Sequence, residues 1–330
     1  MKWTRLAASL TLATIIGLTG CGVIVDRRAD RQETEAEAEF PPEGQFVEVD
    51  GRRVHVVIEG KGPDLVLIHG ASGSTRDFTF SFVDQIKDRY RVLVFDRPGL
   101  GYTDRFDPSF TGAFKTVAES PAQQARLLQA AAAKLGADKP IVLGHSYGGA
   151  VALAWALERP DNLSGLVVLS GASNPWPGGL GTLYAVASSS LGGAAVVPLL
   201  TAFPPEGRVE QALTEIFAPQ PITPGYADYV GIGLTLRRET IRANARQVNG
   251  LRPFIVEMSE RYGEIKVPTE IVHGTDDDVV PLRIHADPLS RQIPGANLTQ
   301  LDGIGHMPHQ VAPKAVIAAI DRASARARLR

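Results

Sequence analysis

The body of the chain opens on alternation. Phe46-Val47-Glu48-Val49 and Val54-His55-Val56-Val57-Ile58 flank Asp50-Gly51, which predicts an antiparallel hairpin. Beyond it further strands are expected at 65–68, 91–95, 141–143, 166–169, 269–272 and 297–301, with continuous apolar runs at 65–68, 141–143 and 166–169. Short unbroken runs suit strands buried on both faces. Helical patterns separate them at 77–87, 121–135 and 149–158, the last stopped by Pro160. Strands alternating with helices predict an α/β fold with a mostly parallel central sheet and helices on both faces.

That rhythm breaks over 173–262. Gly178-Gly179, Gly192-Gly193 and Pro204-Pro205 punctuate helical patches, with no strand pattern until Thr269. A helical insertion of this length between two strands reads as a lid over a site, with apolar residues such as Leu183 and Phe203 setting substrate choice. Its first half is nearly uncharged. Its second half carries Arg238, Arg242 and Arg246 four apart, the spacing of a solvated helical stripe.

At the N-terminus, Lys2 and Arg5 precede an apolar stretch over 6–18 that ends in Leu18-Thr19-Gly20-Cys21. The stretch is short for about 30 Å of hydrocarbon and has the flanks of an export signal. It resembles the signal of bacterial lipoproteins, which implies cleavage after residue 20 and acylation of Cys21, the only cysteine. The resemblance also implies a membrane anchor on the outer side of a bacterial envelope. Gly22, where many inner-membrane lipoproteins carry aspartate, points to the outer membrane if the source has two. An ordinary cleaved signal with an incidental cysteine is the alternative. Residues 25–42 hold Asp26, Arg27, Arg28, Asp30 and Arg31, then Glu33, Glu35, Glu37 and Glu39, with little to bury. They read as a solvated spacer. The expected organisation is signal 1–20, acylated cysteine and tether 21–44, core 45–172, lid 173–262 and core again 263–330.

Composition narrows the class. With 44% hydrophobic and 21% charged residues the chain can build a full core, and a net charge of −2 gives no reason to expect a nucleic-acid partner. There is no H-E-x-x-H, no paired-cysteine spacing and no dinucleotide fingerprint, and the histidines are scattered, so no metal or cofactor is expected.

Candidate chemistry centres on Gly144-His145-Ser146-Tyr147-Gly148, a G-x-S-x-G between a strand and a helix. A serine on such an elbow is exposed at the sheet edge, and small residues two before and two after it relieve the turn. A serine nucleophile needs a base, and the base an orienting carboxylate. Asp276-Asp277-Asp278 follows the strand at 269–272, and His306 and His309 follow the strand at 297–301.

Residues 46–322 thus resemble the α/β-hydrolase fold, in its branch with a lid after the sixth strand. The resemblance rests on His69-Gly70-Ala71-Ser72-Gly73, on Asp96 to Thr103, on the elbow, on the Gly274 loop and on the His306 loop, in that order. It implies Ser146 as nucleophile, Asp277 as acid (Asp276 and Asp278 being rivals) and His306 as base (His309 being a rival). It further implies an oxyanion hole from the backbone N–H groups of Ala71 and Tyr147, and a loop-shaping role for 96–103. His145 is expected to pack beside the nucleophile. The implied activity is hydrolysis of an ester or lactone of a small, partly apolar acyl substrate. Alternatives are a C–C bond hydrolase or a cofactor-free perhydrolase on the same residues, and a small-molecule-binding lipoprotein without catalysis.

Overall fold

The computed structural model describes residues 22–329. Its strands are β1 (Gln45–Val49), β2 (Arg52–Glu59), β3 (Asp64–Ile68), β4 (Arg91–Phe95), β5 (Ile141–His145), β6 (Gly165–Leu169), β7 (Thr269–Gly274) and β8 (Asn297–Leu301). They form one sheet in the order β1-β2-β4-β3-β5-β6-β7-β8. β2 is antiparallel to β1 and to β4, and every other pairing is parallel. The continuous runs became the central strands: β5 and β6 are buried at every position.

In chain order the helices are α1 (22–39), α2 (Arg76–Thr79), α3 (Pro121–Lys134) and α4 (Tyr147–Glu158). Next come the lid helices α5 (Thr182–Ser188), α6 (Ser190–Ala202), α7 (Glu206–Phe217), α8 (Tyr226–Tyr229), α9 (Ile232–Thr235), α10 (Arg238–Asn249) and α11 (Leu251–Ser259). The last three are α12 (Ala286–Gln292), α13 (Pro308–Val311) and α14 (Pro313–Arg326). α3 and α4 cover one face of the sheet, where Leu128, Leu153 and Trp155 pack with Val142 and Val168. α14 covers the other, where Val316 and Ile320 pack with Leu143 and Val167. α3 begins on a reciprocal cap: Ser120 Oγ accepts from the Gln123 N–H at 3.1 Å and the Gln123 side chain accepts from the Ser120 N–H at 2.9 Å. The lid helices all lie between β6 and β7, after the sixth strand.

Three expectations need correction. The single helix expected over 77–87 is broken: α2 stops at Thr79 and a 3₁₀ turn follows at Val83–Gln85. Asp77 there points inward and takes part in a buried hydrogen-bond network instead of capping a surface helix.

The solvated spacer expected over 25–42 is helix for most of its length and is docked on the lid. Ala29 and Ala36 on α1 are buried. Arg28 Nε donates to the Ala202 carbonyl at 2.6 Å. Arg238 pairs with Asp26, Asp30 and Glu33, and Arg237 Nη1 lies 2.8 Å from Glu37 Oε1. The segment has a stripe to bury, but it is made of alanine, and four of its acids meet Arg237 and Arg238 of the lid while staying partly exposed.

The arginine stripe on α10 is likewise not solvated. Arg242 and Arg246 are buried. Arg242 Nε donates to the Gly193 carbonyl at 2.9 Å, and Arg246 donates to the carbonyls of Phe110 and Gly112 at 3.0 and 2.8 Å. A buried guanidinium is tolerated when its donors are used, and here Arg242 ties α10 to α6 within the lid while Arg246 fastens the lid to the loop after β4. The expected signal and Cys21 lie outside the described residues.

Candidate active site

Ser146 stands between β5 and α4 with φ 54° and ψ −120°. A non-glycine residue held there stores about 1–3 kcal/mol of strain, so the surroundings must fix it. Its N–H donates to the Leu169 carbonyl at 3.0 Å, and its carbonyl accepts from the N–H groups of Gly149 and Ala172 at 2.9 and 3.1 Å. The two motif glycines are required by contact. A Cβ on Gly144 would meet the Gly148 carbonyl oxygen at 2.0 Å, and one on Gly148 the Ile68 carbonyl oxygen at 2.3 Å. The chain turns this sharply only because neither has a side chain.

Of the three adjacent aspartates after β7, Asp276 and Asp278 are exposed and Asp277 is buried. Asp277 Oδ1 accepts from the N–H groups of Val279 and Val280 at 3.0 and 2.8 Å, while Oδ2 lies 2.8 Å from His306 Nδ1. Burial works against its negative charge, but the neighbouring His306 and His273 outweigh it and hold the carboxyl well below the usual carboxylate range. With Asp277 ionised, His306 Nδ1 carries the proton it donates, and Nε2 is left to accept one. His273 was not among the expected site residues. It lies on β7, with Nε2 3.2 Å from Asp277 Oδ2 and 2.6 Å from the Val280 carbonyl oxygen.

His306 is brought to the elbow through His145. His145 Nε2 donates to the His306 carbonyl at 2.9 Å, and the two rings lie 4.9 Å apart. His145 does pack beside the nucleophile, and it also holds the loop that carries the base. Burial and the neighbouring histidines push its pKa well down, so it is neutral. His309 is not on Asp277. Its Nε2 lies 3.1 Å from Asp77 Oδ1, and its ring 4.5 Å from that of His145. The lid closes this cluster: Tyr226 donates its hydroxyl to Asp77 Oδ1 at 2.8 Å. The histidines are therefore scattered only along the chain. Asp77, His145 and His309 offer donor atoms within 4.8 Å of one another, so a small cation could be held there. As described, they are bonded among themselves and to Tyr226.

The residues expected to form the oxyanion hole flank Ser146. Tyr147 is the first residue of α4, whose leading N–H groups have no partner within the helix. On the other side the chain leaves β3 through Gly70, where a Cβ would come within 2.9 Å of Ser146 Cβ, and reaches Ala71. His69 shapes this turn: Nδ1 donates to the Gly70 carbonyl at 2.8 Å and Nε2 accepts from the Arg97 N–H at 3.0 Å. Burial first, and then the Arg97 charge, lowers its pKa to about 4, so it too is neutral.

Arg97 itself exceeds its expected loop-shaping role. Fully buried, it donates from Nη1 to Gln124 and Gln247, both at 2.9 Å, and from Nη2 to the Gly70 carbonyl at 3.1 Å. Its guanidinium lies 4.2 Å from the centre of the Tyr147 ring. Burial lowers its pKa to about 10, which leaves it charged at neutral pH. A fixed positive charge thus sits against the Gly70 carbonyl and the Tyr147 ring, beside the two residues expected to form the oxyanion hole. The rest of the 96–103 loop is scaffold: Asp96 accepts from the N–H groups of Thr75 and Tyr102, and Thr103 Oγ1 from the His55 N–H.

Comparisons with known proteins agree with this architecture. Over 117 residues the chain is 35% identical to a proline iminopeptidase of Saccharolobus solfataricus, a match that spans only 36% of this chain and 36% of that one. It is 28% identical over 263 residues to a 2-hydroxy-6-oxononadienedioate/2-hydroxy-6-oxononatrienedioate hydrolase of Comamonas testosteroni, covering 77% of this chain and 85% of that one. Among solved structures, a membrane phospholipase A superposes with a TM-score of 0.66 at 20% identity, over 98% of this chain and 99% of that one. Residues 65–319 match the model of the Alpha/beta hydrolase family, and the chain belongs to that family.

Proposed function

We propose that this chain is a membrane-held serine hydrolase of carboxylic esters or lactones, working through Ser146, His306 and Asp277. The observation that carries the reading is the pairing of one buried aspartate with one histidine beside a serine in strained backbone geometry. In this reading His306 Nε2 takes the proton of Ser146 Oγ as the oxygen attacks the acyl carbon. Asp277, already ionised, stabilises the imidazolium through Nδ1–H. The oxyanion is met by the N–H groups of Ala71 and Tyr147, with the Arg97 charge beside those residues, where one such donor is typically worth about 10²–10³ in rate. His306 then gives its proton to the leaving oxygen. A water attacks the acyl-enzyme by the same path in reverse, so no oxidant, metal or cofactor is needed.

Uncharged esters are preferred over ionic acyl compounds because the chain from β6 into the first half of the lid carries no charged residue between Asp161 and Glu206. The phospholipase neighbour supplies the fold in which ester hydrolysis at a membrane occurs; at its level of identity it supplies no more. The membrane part of the reading rests on Leu18-Thr19-Gly20-Cys21 and the apolar stretch before it. A second reading, C–C bond hydrolysis of a 2-hydroxy-6-oxo-diene acid, draws support from the Comamonas relative, which covers most of the chain.

Chromogenic esters of graded acyl length, assayed beside a 2-hydroxy-6-oxo-diene acid, separate the two. A pre-steady-state burst of the alcohol from esters, lost in Ser146→Ala, is the expected result. Turnover of the diene acid with no ester burst would favour the second reading. Labelled palmitate incorporated into the wild type and not into Cys21→Ser tests the anchor.

A further inference from the structure

α6 is amphipathic the wrong way round for a helix facing water. Leu191, Ala195, Leu199 and Phe203 follow one another at intervals of four, which places them along one side of the helix. All four are exposed, Leu191 by 78%, Leu199 by 47% and Phe203 by 51%. The inner side packs instead: Gly193, Val197 and Ala202 are buried against α10 and the loop after β4. On α5, Leu183 is exposed by 61%, and on the loop after β4, beside Gly193, Phe114 stands exposed by 69%. A water-facing side without a charged residue, flanked by further bare apolar groups, is the mark of a surface covered by something else.

The position of α1 beside this stripe points to the cover. Phe203 ends the stripe, and the Arg28 guanidinium of α1 lies 4.5 Å from the centre of its ring. One helical turn before Arg28, Ile24 and Val23 are exposed by 65% and 51%. The described chain starts at Gly22, beside this patch, and the residues before it contain the apolar stretch 6–18. After the patch come Asp26, which is turned to Arg238, and then Arg27 and Arg28, whose sign anionic headgroups attract. Among the described residues no single helix is long and apolar enough to cross a membrane, and α5 and α6 meet at a bend of 109°.

We propose that the outer side of α6, with Val23 and Ile24 of α1, docks onto a lipid bilayer, so that the lid rests on the membrane to which residues 1–21 lead. The inference rests on the proposed membrane attachment and is independent of the catalytic reading. Side chains in such an interface sit about 5–10 Å below the headgroups, within reach of quenchers on the acyl chains.

The test uses the full chain reconstituted into phosphatidylethanolamine–phosphatidylglycerol vesicles containing acyl-brominated phosphatidylcholine. Flotation reports attachment. Leu191→Trp adds an emitter on the proposed face, and Val256→Trp adds one on α11, away from it. The emission added at 191 should be quenched by about half while that added at 256 is not, as expected for insertion to that depth. A further Leu199→Asp should release much of the quenching at 191 without abolishing flotation. Equal quenching at both positions, or none, in protein that floats overturns the docking face and leaves the anchor standing. Protein that does not float overturns both. Emission at 191 shielded from acrylamide yet not quenched by bromine, in a particle of twice the mass, would assign the face to a second copy and overturn the proposal.

Discussion

Tyr226, in the lid, donates its hydroxyl to the buried carboxylate of Asp77 at 2.8 Å, a bond that ties the lid to the side chains packed behind Ser146. From Asp77 the contacts run to His309 at 3.1 Å, to His145 by ring contact, and to the carbonyl of His306. Gln220, also in the lid, grips the same loop, accepting from the Gly305 N–H at 3.0 Å and donating to the Gly303 carbonyl at 2.6 Å. The base is therefore held from the lid on two sides.

Tyr226→Phe should expose this coupling. Removing the hydroxyl leaves a buried carboxylate short of one donor, at a cost of about 1–3 kcal/mol in stability. If the network only supports the fold, thermal stability falls and turnover of the folded enzyme does not. If it positions His306, kcat on a short soluble ester falls several-fold with KM little changed. The second outcome is expected, because the chain of contacts ends on the backbone of the base itself.

Substitution within the proposed triad has a sharper signature. Ser146→Ala and His306→Ala should abolish the burst with circular dichroism unchanged. Asp277→Asn should lower kcat by about 10⁴, because the amide would favour the wrong imidazole tautomer. Asp276→Asn and Asp278→Asn should have little effect, since both side chains are exposed and neither reaches His306. Wild-type turnover in Ser146→Ala would remove the basis of the proposed function.

These residues were legible in the chain for a physical reason. Gly144, Ser146 and Gly148 have to be those residue types at that spacing, because the backbone closes on itself there. The central strands β3 to β6 were legible because each buries both faces and so writes a nearly unbroken apolar run, and the β1–β2 hairpin because its residues alternate about Asp50-Gly51. What escaped was everything that depends on a partner distant in sequence. His273 is a histidine in a strand until Asp277 folds back on it. Arg97 reads as a loop residue until Gln124 and Gln247 enclose it. α1 reads as solvated because its acids are 200 or more residues from the arginines they meet. Arg242 and Arg246 fail in the same way: helical spacing gives the stripe but not which side of the helix is covered.

Acid should destabilise the fold well before carboxylates alone would. His69 and His285 are both lowered to about 4 from an ordinary 6.5, chiefly by burial. Between those values the unfolded chain binds protons that the folded chain does not, so stability falls as pH drops from 6.5 toward 4. Each histidine contributes up to about 3 kcal/mol to that loss. Asp77 and Asp277, depressed below 3.8 because their histidine neighbours outweigh burial, extend the loss further into acid. The melting temperature should be level above about pH 7 and fall by about 10 °C by pH 4.5, given the shallow dependence of melting temperature on free energy in a chain of this size. A level profile down to pH 4.5 would mean that these histidines protonate freely in the folded state.

The docking of α1 should be the most salt-sensitive contact in the molecule. Asp26, Asp30 and Glu37 have side chains exposed by half or more, and exposed ion pairs contribute only about 0.2–1 kcal/mol each. Glu33 is better covered and accepts three bonds from Arg238, one from its backbone N–H at 2.7 Å and two from its guanidinium, both at 2.9 Å. Beyond these, two buried alanines offer little apolar area, so α1 is held by a sum of small charged contacts that salt screens. Hydrogen exchange of the full chain should show α1 and the first turn of α10 losing protection together in high salt, and Arg238→Ala should reproduce the effect at low salt. A chain starting at Phe40 should still react at Ser146, because the partners that α1 bonds, Ala202, Arg237 and Arg238, belong to the lid and not to the elbow or the His306 loop. It should nevertheless show an altered KM across ester lengths, because Arg237 and Arg238, which open the lid helix α10, have lost their acids. If α1 exchanges slowly and equally in wild type and Arg238→Ala at every salt concentration, the ion pairs do not hold it.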